Sequence, residues 1–577
     1  MNTTPEGESI PQKLLILIAL LQGFSLLILH QSIELEFWPY HQPQWLFSLY
    51  SVAISIPTML LLTLSDKANP VYKWIIIYAI VVFGLGYYIG SQAIPLTHIR
   101  YDTLLLTIVI TMIIATFKFL MYVQHFSAGG PISYSRLFLL SWRNFLTIGL
   151  SILFTVLTWG ILMLWAGLFK AIKIDLFFDL FTERWFFYPV LALANGFGVI
   201  IFRQQSNVID TITRIQQALV KFLLIVLVFV SIIFLFTLPF TGLDPLWETG
   251  GSKLILWMQA LMLFFVNAVY QDDPESKPYK LWIHRFIYIG LALLPIYSMI
   301  SFYGLTLRIE QYGWSLSRCW GFMLWGIFAA FSVGYLWGII RLKDKWLHQL
   351  SWVNVRMGLV VLALMLLANS PILDFRKVTV SSQLERLEEN RVSLAEFDYN
   401  YLRRHLAKPG YEALQLIKHD VKESNPEIAF KISNLYRDRN AKDINDEKGK
   451  EEFILALNGF TPDVPVSLTD EIYQHLSERN WRVRDNLSYH LLATNLNSDS
   501  KTEYILIEER SKRIVLSLYH NVNGSWGRKS LGRFDDALGF DHGSKKDIME
   551  AIKAGDYMVI EPAWQSFQIG KNKFQVR

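Results

Sequence analysis

The sequence predicts an α-helical membrane protein with about eleven transmembrane helices and a C-terminal soluble α+β domain. Long apolar segments follow one another through roughly the first 373 residues, and the remaining third is charged and has almost none. Hydrophobic residues make up 52% of the chain, with 19 Trp and 39 Phe. A soluble protein is rarely so apolar, so the membrane part dominates the chain.

Eleven segments are long and apolar enough to cross a bilayer, whose hydrocarbon core needs about 20 residues of a helix that pairs its own backbone groups. They are residues 13–29, 45–64, 73–95, 103–124, 145–169, 185–202, 219–241, 253–270, 285–306, 319–340 and 352–373. The first lacks a basic flank and a small-residue cleavage pattern, so we interpret it as a retained helix.

The loop between spans five and six has a mixed pattern. Asp175 and Asp179 alternate there with bulky apolar residues. This pattern predicts a short amphipathic helix in the membrane interface, where it anchors the loop. A gate or lid over a binding site is the alternative.

Basic residues predict the orientation, because Lys and Arg are retained on the cytoplasmic side during insertion. With the N-terminus inside, the inner loops hold more Lys and Arg than the outer loops, and the first outer loop has none. An odd number of crossings then places everything after Asp374 outside. We expect a cell inner-membrane protein with a cytoplasmic N-terminus and a periplasmic C-terminal domain, and one miscounted helix would invert the second expectation.

The formal net charge of +5 gives no indication of nucleic-acid binding, because the basic residues lie in loops at the inner face. Contact with the anionic headgroups of the lipid bilayer explains them. Cys319 is the only cysteine, so no disulfide framework or CxxC site can form within the chain. No cofactor or metal is implied.

We predict three parts in the chain: a transmembrane bundle of residues 1–375, a helical extramembrane segment of residues 376–480, and a β-rich subdomain of residues 481–577. The second part has helical apolar spacing with a break at Pro409-Gly410. Asn523-Gly524 indicates a hairpin turn in the third. Strands are predicted at residues 504–508, 513–519, 526–534, 557–560 and 566–576.

The spans have no Asp or Glu in their central regions, and Lys118 and Arg356 lie near enough to the inner ends to extend towards the headgroups. Proton-coupled pumps and transporters usually need a buried carboxylate or His, so this composition argues against that class. We also find no convergent carboxylate, His or nucleophile pattern typical of an enzyme.

Two patterns in the extramembrane part resemble ligand sites superficially. Residues 524–530 have the wrong glycine spacing for a phosphate loop and lie in a predicted hairpin. Asp535, Asp536 and Asp541 lack the ligand spacing of a calcium loop, so we interpret them as a solvated turn.

Uncharged polar residues remain inside the predicted bundle, namely Gln22, Gln92, Asn195, Gln259, Asn267 and Asn369. Such amides most often form hydrogen bonds between helices. Two alternatives stay open. Asn195 with Gly196 and Gly198 could mark a broken helix, and Asn195, Gln259, Asn267 and Tyr303 could line a neutral polar cavity.

A motif follows the ninth span: a helix with Pro295 leads into Arg308-Ile309, Tyr312-Gly313, Ser315 and Arg318. This resembles the hallmark Arg-Ile-x-x-Tyr-Gly-x-Thr/Ser-x-x-Arg of the uncharacterised bacterial membrane family known as domain of unknown function four-one-five-three. The resemblance continues at residues 263–267, 381–387, 397–398 and 409–410. Other members often have Thr-Pro where this chain has Ser315-Leu316. The resemblance implies a multi-pass bacterial membrane protein without an assigned activity or catalytic residues.

The motif places Arg308, Glu310, Tyr312 and Arg318 in an outer loop, which we expect to pack against residues 380–405. The loop could be structural or could dock a partner. Three functional classes follow. We favour an envelope scaffold or signalling protein whose outer domain binds a protein partner. The alternatives are a transporter or lipid-handling protein with a neutral polar cavity, and an enzyme acting on a lipid-linked substrate.

Overall fold

The computed structural model describes residues 10–65, 71–99, 102–248, 251–270, 278–436, 453–454, 457–459, 464–478, 486–496, 501–510, 513–522, 524–535, 545–559, 567–569 and 572–574. The chain forms two compact units. The first comprises Met1–Val392 and Arg404–Tyr411, and the second comprises Ser393–Arg403 and Glu412–Arg577.

The first unit is a helical bundle. Its helices are α1 (Gln12–Glu34), α2 (Pro43–Thr63), α3 (Val71–Ser91), α4 (Asp102–Ala128), α5 (Tyr134–Ala171), α6 (Leu176–Thr182), α7 (Arg184–Gln204), α8 (Ser206–Thr241), α9 (Asp244–Glu248), α10 (Ser252–Val269), α11 (Leu281–Ala292), α12 (Leu294–Tyr312), α13 (Leu316–Leu342), α14 (Leu347–Leu367) and α15 (Phe375–Glu388). Ten helical segments in the described residues are long and apolar enough to cross a membrane, with α11 and α12 counted together, and Lys253–Val269 is a shorter apolar helix. The predicted fold class is confirmed, and each predicted span corresponds to one of these segments.

The ninth predicted span consists of two helices, α11 and α12, separated at Leu293. Pro295 lies in the first turn of α12. Proline has no backbone N–H, and its ring clashes with the carbonyl group four residues earlier, so the hydrogen-bond ladder is interrupted here. The interruption divides one long apolar segment into two helices.

Helix α7 is continuous, so Asn195, Gly196 and Gly198 do not mark a broken helix. The glycines instead allow close helix packing. A Cβ atom at Gly196 would lie 2.5 Å from the Cβ of Ala19 in α1, and one at Gly198 would lie 3.0 Å from the Cα of Ser151 in α5. Small residues commonly bring membrane helices together in this way.

The predicted amphipathic helix in the loop before α7 is α6. Phe181 is buried, and its ring stacks on that of Phe186 with centroids 5.1 Å apart. The Nζ of Lys170 lies 3.8 Å from the centre of the Phe178 ring. These contacts hold α6 against the helices that flank it.

Polar side chains join helix ends at two faces of the bundle. At what we call the Arg203 face, Arg203 donates to the carbonyl oxygens of Leu61 and Leu64 at 2.7 and 2.8 Å, at the end of α2. At the Asp374 face, Tyr88 near the end of α3 donates to Asp374 at 2.7 Å. Helix α3 therefore runs from the Arg203 face to the Asp374 face.

Helix α10 lies antiparallel to the α11–α12 pair. The hydroxyl of Tyr270, just after α10, is 3.1 Å from the Nδ1 of His284 in α11. Near the middle of α10, the Nε2 of Gln259 donates to the Leu294 carbonyl oxygen at 3.1 Å and to the Ser298 hydroxyl at 2.9 Å. With 18 residues, α10 is about 27 Å long, close to the thickness of a hydrocarbon core.

The described part of the second unit contains a five-stranded sheet and a two-stranded hairpin. The strands are β1 (Leu457–Gly459), β2 (Asn486–Thr494), β3 (Glu503–Arg510), β4 (Arg513–Val522), β5 (Ser525–Asp535), β6 (Phe567–Ile569) and β7 (Asn572–Phe574). The sheet order is β1-β2-β3-β4-β5, with β1 parallel to β2 and the others antiparallel. Strands β6 and β7 pair with each other.

Helices cover the sheet on both faces. Further helices of the chain are α16 (Tyr399–His405), α17 (Ala407–Val421), α18 (Pro426–Tyr436), α19 (Val466–Glu478) and α20 (Lys545–Ala554). On one face, residues of α18 and α19 pack against Leu491, Leu506 and Tyr519. On the other, Met549 and Ile552 of α20 pack against strand residues such as Ile507 and Ile514. Successive residues of β3 are buried on opposite faces of the sheet: Leu506 packs in the first cluster and Ile507 in the second.

The sequence predictions for this unit are partly correct. The strands at residues 504–508, 513–519 and 526–534 are confirmed as β3, β4 and β5. Residues 557–559 are not a strand, and residue 560 lies outside the described residues. The segment 566–576 contains two short strands rather than one. Helix α20 was not expected in the β-rich subdomain, nor β1 in the helical segment, since their structure depends on tertiary contacts with the sheet.

Candidate functional site

The family motif forms the turn between α12 and α13. Gly313 ends α12 with φ 69° and ψ −178°, a conformation that only glycine adopts readily. The Oγ of Ser315 then accepts a hydrogen bond from the backbone N–H of Arg318 at 3.4 Å and so caps the start of α13. The Arg318 guanidinium donates back to the Gly313 carbonyl oxygen at 2.7 Å. In this motif the glycine therefore ends α12, the serine caps α13, and the arginine joins the start of α13 to the end of α12 by a hydrogen bond.

Helix α15 holds this turn through backbone groups. The Oγ of Ser382 accepts a hydrogen bond from the N–H of Trp314 at 3.0 Å. The Nε2 of Gln383 donates to the carbonyl oxygens of Tyr312 at 3.1 Å and Trp314 at 2.9 Å. The sequence predicts that this turn packs against residues 380–405, and the observed contacts are with Ser382 and Gln383 of that segment.

Arg386 completes the contact. Its Nη2 donates to the Gln311 carbonyl oxygen at 2.8 Å, and its Nη1 donates to that of Glu310 at 3.3 Å. The last carbonyl groups of a helix have no partner within the helix, so a guanidinium there stabilises both their hydrogen bonding and the helix dipole. We call Ser382, Gln383 and Arg386 the α15 clamp.

Two of the predicted docking residues lie beside the aromatic ring of a third. The guanidinium carbons of Arg308 and Arg318 lie 5.8 and 5.4 Å from the centre of the Tyr312 ring. Tyr312 is 53% exposed. Glu310 takes part in the α15 clamp through its carbonyl oxygen. The structure therefore brings these four residues together at one turn.

A buried ion pair lies beside the clamp at the start of α15. The Nε of Arg376 is 2.7 Å from Oδ1 of Asp374, and its Nη2 is 2.8 Å from Oδ2. Only 2% of the Asp374 side chain and 8% of the Arg376 side chain are exposed. Asp374 also accepts the backbone N–H of Arg376 at 2.9 Å and so caps α15. The sequence reasoning missed this pair, although an Asp directly after the last span is a typical helix cap.

Several groups hold Asp374 as a carboxylate. Burial alone would raise its pKa, because a charged group is poorly solvated there. Two effects outweigh burial: the hydrogen bonds and charge of Arg376, and the hydrogen bond from Tyr88. The pKa of Asp374 is lowered below its usual value of 3.8, so the pair is ionised at neutral pH.

The ion pair forms part of the wall of a cavity of about 50 Å³, which we call the Asp374 pocket. Its lining is apolar on Ile89, Leu104, Leu316, Trp320, Ala368 and Phe375, and polar on Thr107, Asn369, Asp374, Arg376 and His405. The pocket lies where α3, α13 and α14 end or begin. It is therefore at the Asp374 face of the bundle, at the level of the helix ends.

The amides that could have lined a mid-membrane cavity lie in separate networks. The hydrogen bonds join Asn195 to Ser151, Gln259 to Leu294 and Ser298, and Asn267 to Tyr134, Tyr335 and Asn354. Tyr303 is 54% exposed on α12. These contacts connect neighbouring helices, which is the usual role of such amides.

No three His, Cys, Asp or Glu side chains come together as a metal site in the part of the chain that the structure describes. Asp535 ends β5. Asp536 and Asp541 lie outside the described residues.

The apolar helices define a multi-pass membrane protein of the α-helical class. The family model described as "Domain of unknown function (DUF4153)" matches residues 18–417, and the chain belongs to that family. The match includes the bundle from α1 to α14, the motif turn and α15, and it confirms the resemblance seen in the sequence. No curated protein and no solved structure matches the chain.

Proposed function

We propose that this protein is an envelope scaffold or signalling protein of a bacterial inner membrane, whose second unit binds a protein partner in the periplasm. The observation that carries the proposal is the α15 clamp together with the Asp374–Arg376 pair. The clamp and the hydrogen bond that Tyr88 donates to Asp374 fix α15, the first helix after the last span, to the bundle. A protein that only tethers a domain needs a flexible linker after its last span. A protein that positions the domain or transmits a signal to it benefits from a fixed helix there.

The direction of α10 supports the proposed orientation. If α10 crosses the membrane beside α8 and α12, the chain makes eleven crossings and its two ends lie on opposite sides. The length of α10 and its antiparallel contacts at Gln259 and Tyr270 favour a full crossing. The excess of basic loop residues at the Arg203 face favours that face as the cytoplasmic one. The Asp374 face would then face the periplasm.

A labelling experiment tests the orientation. In a Cys319→Ala background, single cysteines are introduced by Glu389→Cys, after α15, and by Lys345→Cys, before α14. A membrane-impermeant maleimide applied to intact spheroplasts should label the first variant, and the second only after lysis. Labelling of the second variant alone in intact spheroplasts would overturn the orientation.

A crosslinking experiment tests partner binding. Leu531 lies in the edge strand β5 and is 45% exposed. A photocrosslinking amino acid at Leu531 should give one protein adduct of defined mass in cells, and one at the exposed Leu164 of α5 should not give that adduct. Adding Arg386→Met should lower the yield of that adduct, because the clamp would no longer fix α15. An identical adduct pattern at both positions would contradict the proposal.

A further inference from the structure

The Asp374 pocket contains an amide oxygen that lacks a hydrogen-bond partner. The Nδ2 of Asn369 donates to the hydroxyl of Thr111 at 2.7 Å and to the carbonyl oxygen of Met365 at 2.8 Å. A carbonyl oxygen can only accept, so the contact with Met365 fixes which end of the amide is the nitrogen. The Oδ1 is left buried without a partner, and Asn369 is 1% exposed.

A buried acceptor without a hydrogen bond is unfavourable. A hydrogen-bond donor from outside the protein would therefore stabilise this oxygen. A ligand with an O–H or N–H group supplies one. The cavity of about 50 Å³ has room for a few water-sized groups, which suits a hydroxymethyl group better than a bulky headgroup.

The charge of the pocket indicates the class of ligand. Asp374 and Arg376 neutralise each other through two short contacts, so their pair offers no excess positive charge to an anion. An uncharged polar group is therefore the best match.

The position of the pocket indicates where such a group comes from. The pocket lies at the ends of membrane-spanning helices, at the depth of lipid headgroups, and Leu316, Trp320 and Phe375 give it an apolar side. A ligand with a hydroxyl end and a hydrocarbon body fits both halves of the lining.

We propose that the Asp374 pocket binds the hydroxyl-bearing head of an uncharged lipid, such as an acylglycerol, with the lipid hydroxyl donating to the Oδ1 of Asn369. The binding is reversible and changes no covalent bond. It does not depend on the proposed partner of the second unit.

Photolabelling of the full-length protein in nanodiscs tests this site. The probe is monooleoylglycerol with a diazirine in its acyl chain close to the ester. The probe should label peptides that contain Leu316, Trp320 or Phe375, and excess unlabelled monooleoylglycerol should abolish that labelling. Excess dioleoylphosphatidylglycerol should not. Equal competition by the anionic lipid would overturn the choice of an uncharged head, and labelling that does not saturate would overturn the site and leave water as the occupant.

Variants locate the interaction. Asn369→Leu removes the acceptor, and competed labelling should fall about fivefold to tenfold, the effect of one lost hydrogen bond. Ala368→Val narrows the cavity and should also reduce labelling. Asn195→Leu, the matched control, changes an amide outside the pocket and should leave it unchanged. If Asn369→Leu fails to fold, as judged by size-exclusion chromatography, Ala368→Val and the competition between the two lipids in the wild type decide the outcome.

Discussion

The side chain of Arg386 in α15 contacts the backbone of Gln311 in α12: its guanidinium Nη2 lies 2.8 Å from the Gln311 carbonyl oxygen. The other contacts of the α15 clamp are likewise with backbone groups of the motif turn. Glu310 therefore contributes its carbonyl oxygen to the clamp. The family motif provides the backbone groups of the turn, and α15 provides the side chains that form hydrogen bonds with them.

Loss of the guanidinium should therefore weaken the bundle. Arg386→Met keeps most of the aliphatic stem and removes both hydrogen bonds, so we expect the free energy of unfolding to fall by about 1 to 2 kcal/mol. The control is Arg391→Met, because Arg391 pairs with Glu389 at a site where the two side chains are 58% and 43% exposed. That change should cost less than about 0.5 kcal/mol. Equal losses in unfolding of the two purified variants would contradict the capping role.

Gly313 should not tolerate a side chain. A Cβ there would lie 2.6 Å from the Cδ of Arg386 and 2.9 Å from the Nε2 of Gln383, in a backbone conformation that disfavours alanine. We expect Gly313→Ala to lower the free energy of unfolding by about 1 to 3 kcal/mol. The control is Gly326→Ala in α13, where nothing lies within 4 Å of the added Cβ. That control should be neutral or stabilise the helix by about 0.5 to 1 kcal/mol, which differential scanning fluorimetry can measure.

The bundle could be predicted from sequence because each span is defined by its own apolar residues. Span nine was the exception: it was predicted as one helix, but it is divided at Leu293 beside Pro295. The turn at Gly313 and its packing against α15 could also be predicted from the sequence. Its motif contains a glycine and a cap residue, both of which have local conformational meaning.

The buried pair and the pocket could not be predicted in the same way. Asp374 meets Tyr88 across 286 positions of sequence, and Asn369 meets Thr111 across 258. No local pattern encodes which helices are neighbours, so contacts of this kind require the packed bundle. The same reason explains why β1 was missed, because its pairing partner β2 lies beyond α19.

The packing of α7 against α1 should be sensitive to a single methyl group. Gly196→Ala would place its Cβ 2.5 Å from that of Ala19, so the two helices would have to separate. We expect a loss of about 1 to 3 kcal/mol. Gly149→Ala in α5 adds the same group where nothing lies within 4 Å, and it should leave the unfolding midpoint in detergent unchanged or slightly raised. Similar midpoints for the two variants would show that close packing at Gly196 is not required.

Loss of one partner of the ion pair should destabilise the protein more than loss of both. Asp374→Asn leaves Arg376 buried with an uncompensated charge, and we expect it to lower the free energy of unfolding by about 3 to 5 kcal/mol. The double variant Asp374→Leu/Arg376→Met removes both charges and should recover much of that loss. A double variant less stable than Asp374→Asn would mean that the pair is needed for its own hydrogen bonds rather than for charge balance.

The same carboxyl group should give the protein a specific acid sensitivity. Because the pKa of Asp374 in the folded state is lower than its usual 3.8, its contribution to stability is fully present well above pH 3.8 and is lost as pH falls through the folded-state pKa. Asp374→Asn cannot be protonated and lacks this contribution at every pH. The difference in unfolding free energy between the wild type and this variant should therefore be constant above about pH 5 and shrink steadily below pH 3.8. Parallel denaturant titrations of the two proteins at several pH values measure that difference. If it stayed the same at the acid end, Asp374 would not be the carboxylate that Arg376 and Tyr88 stabilise.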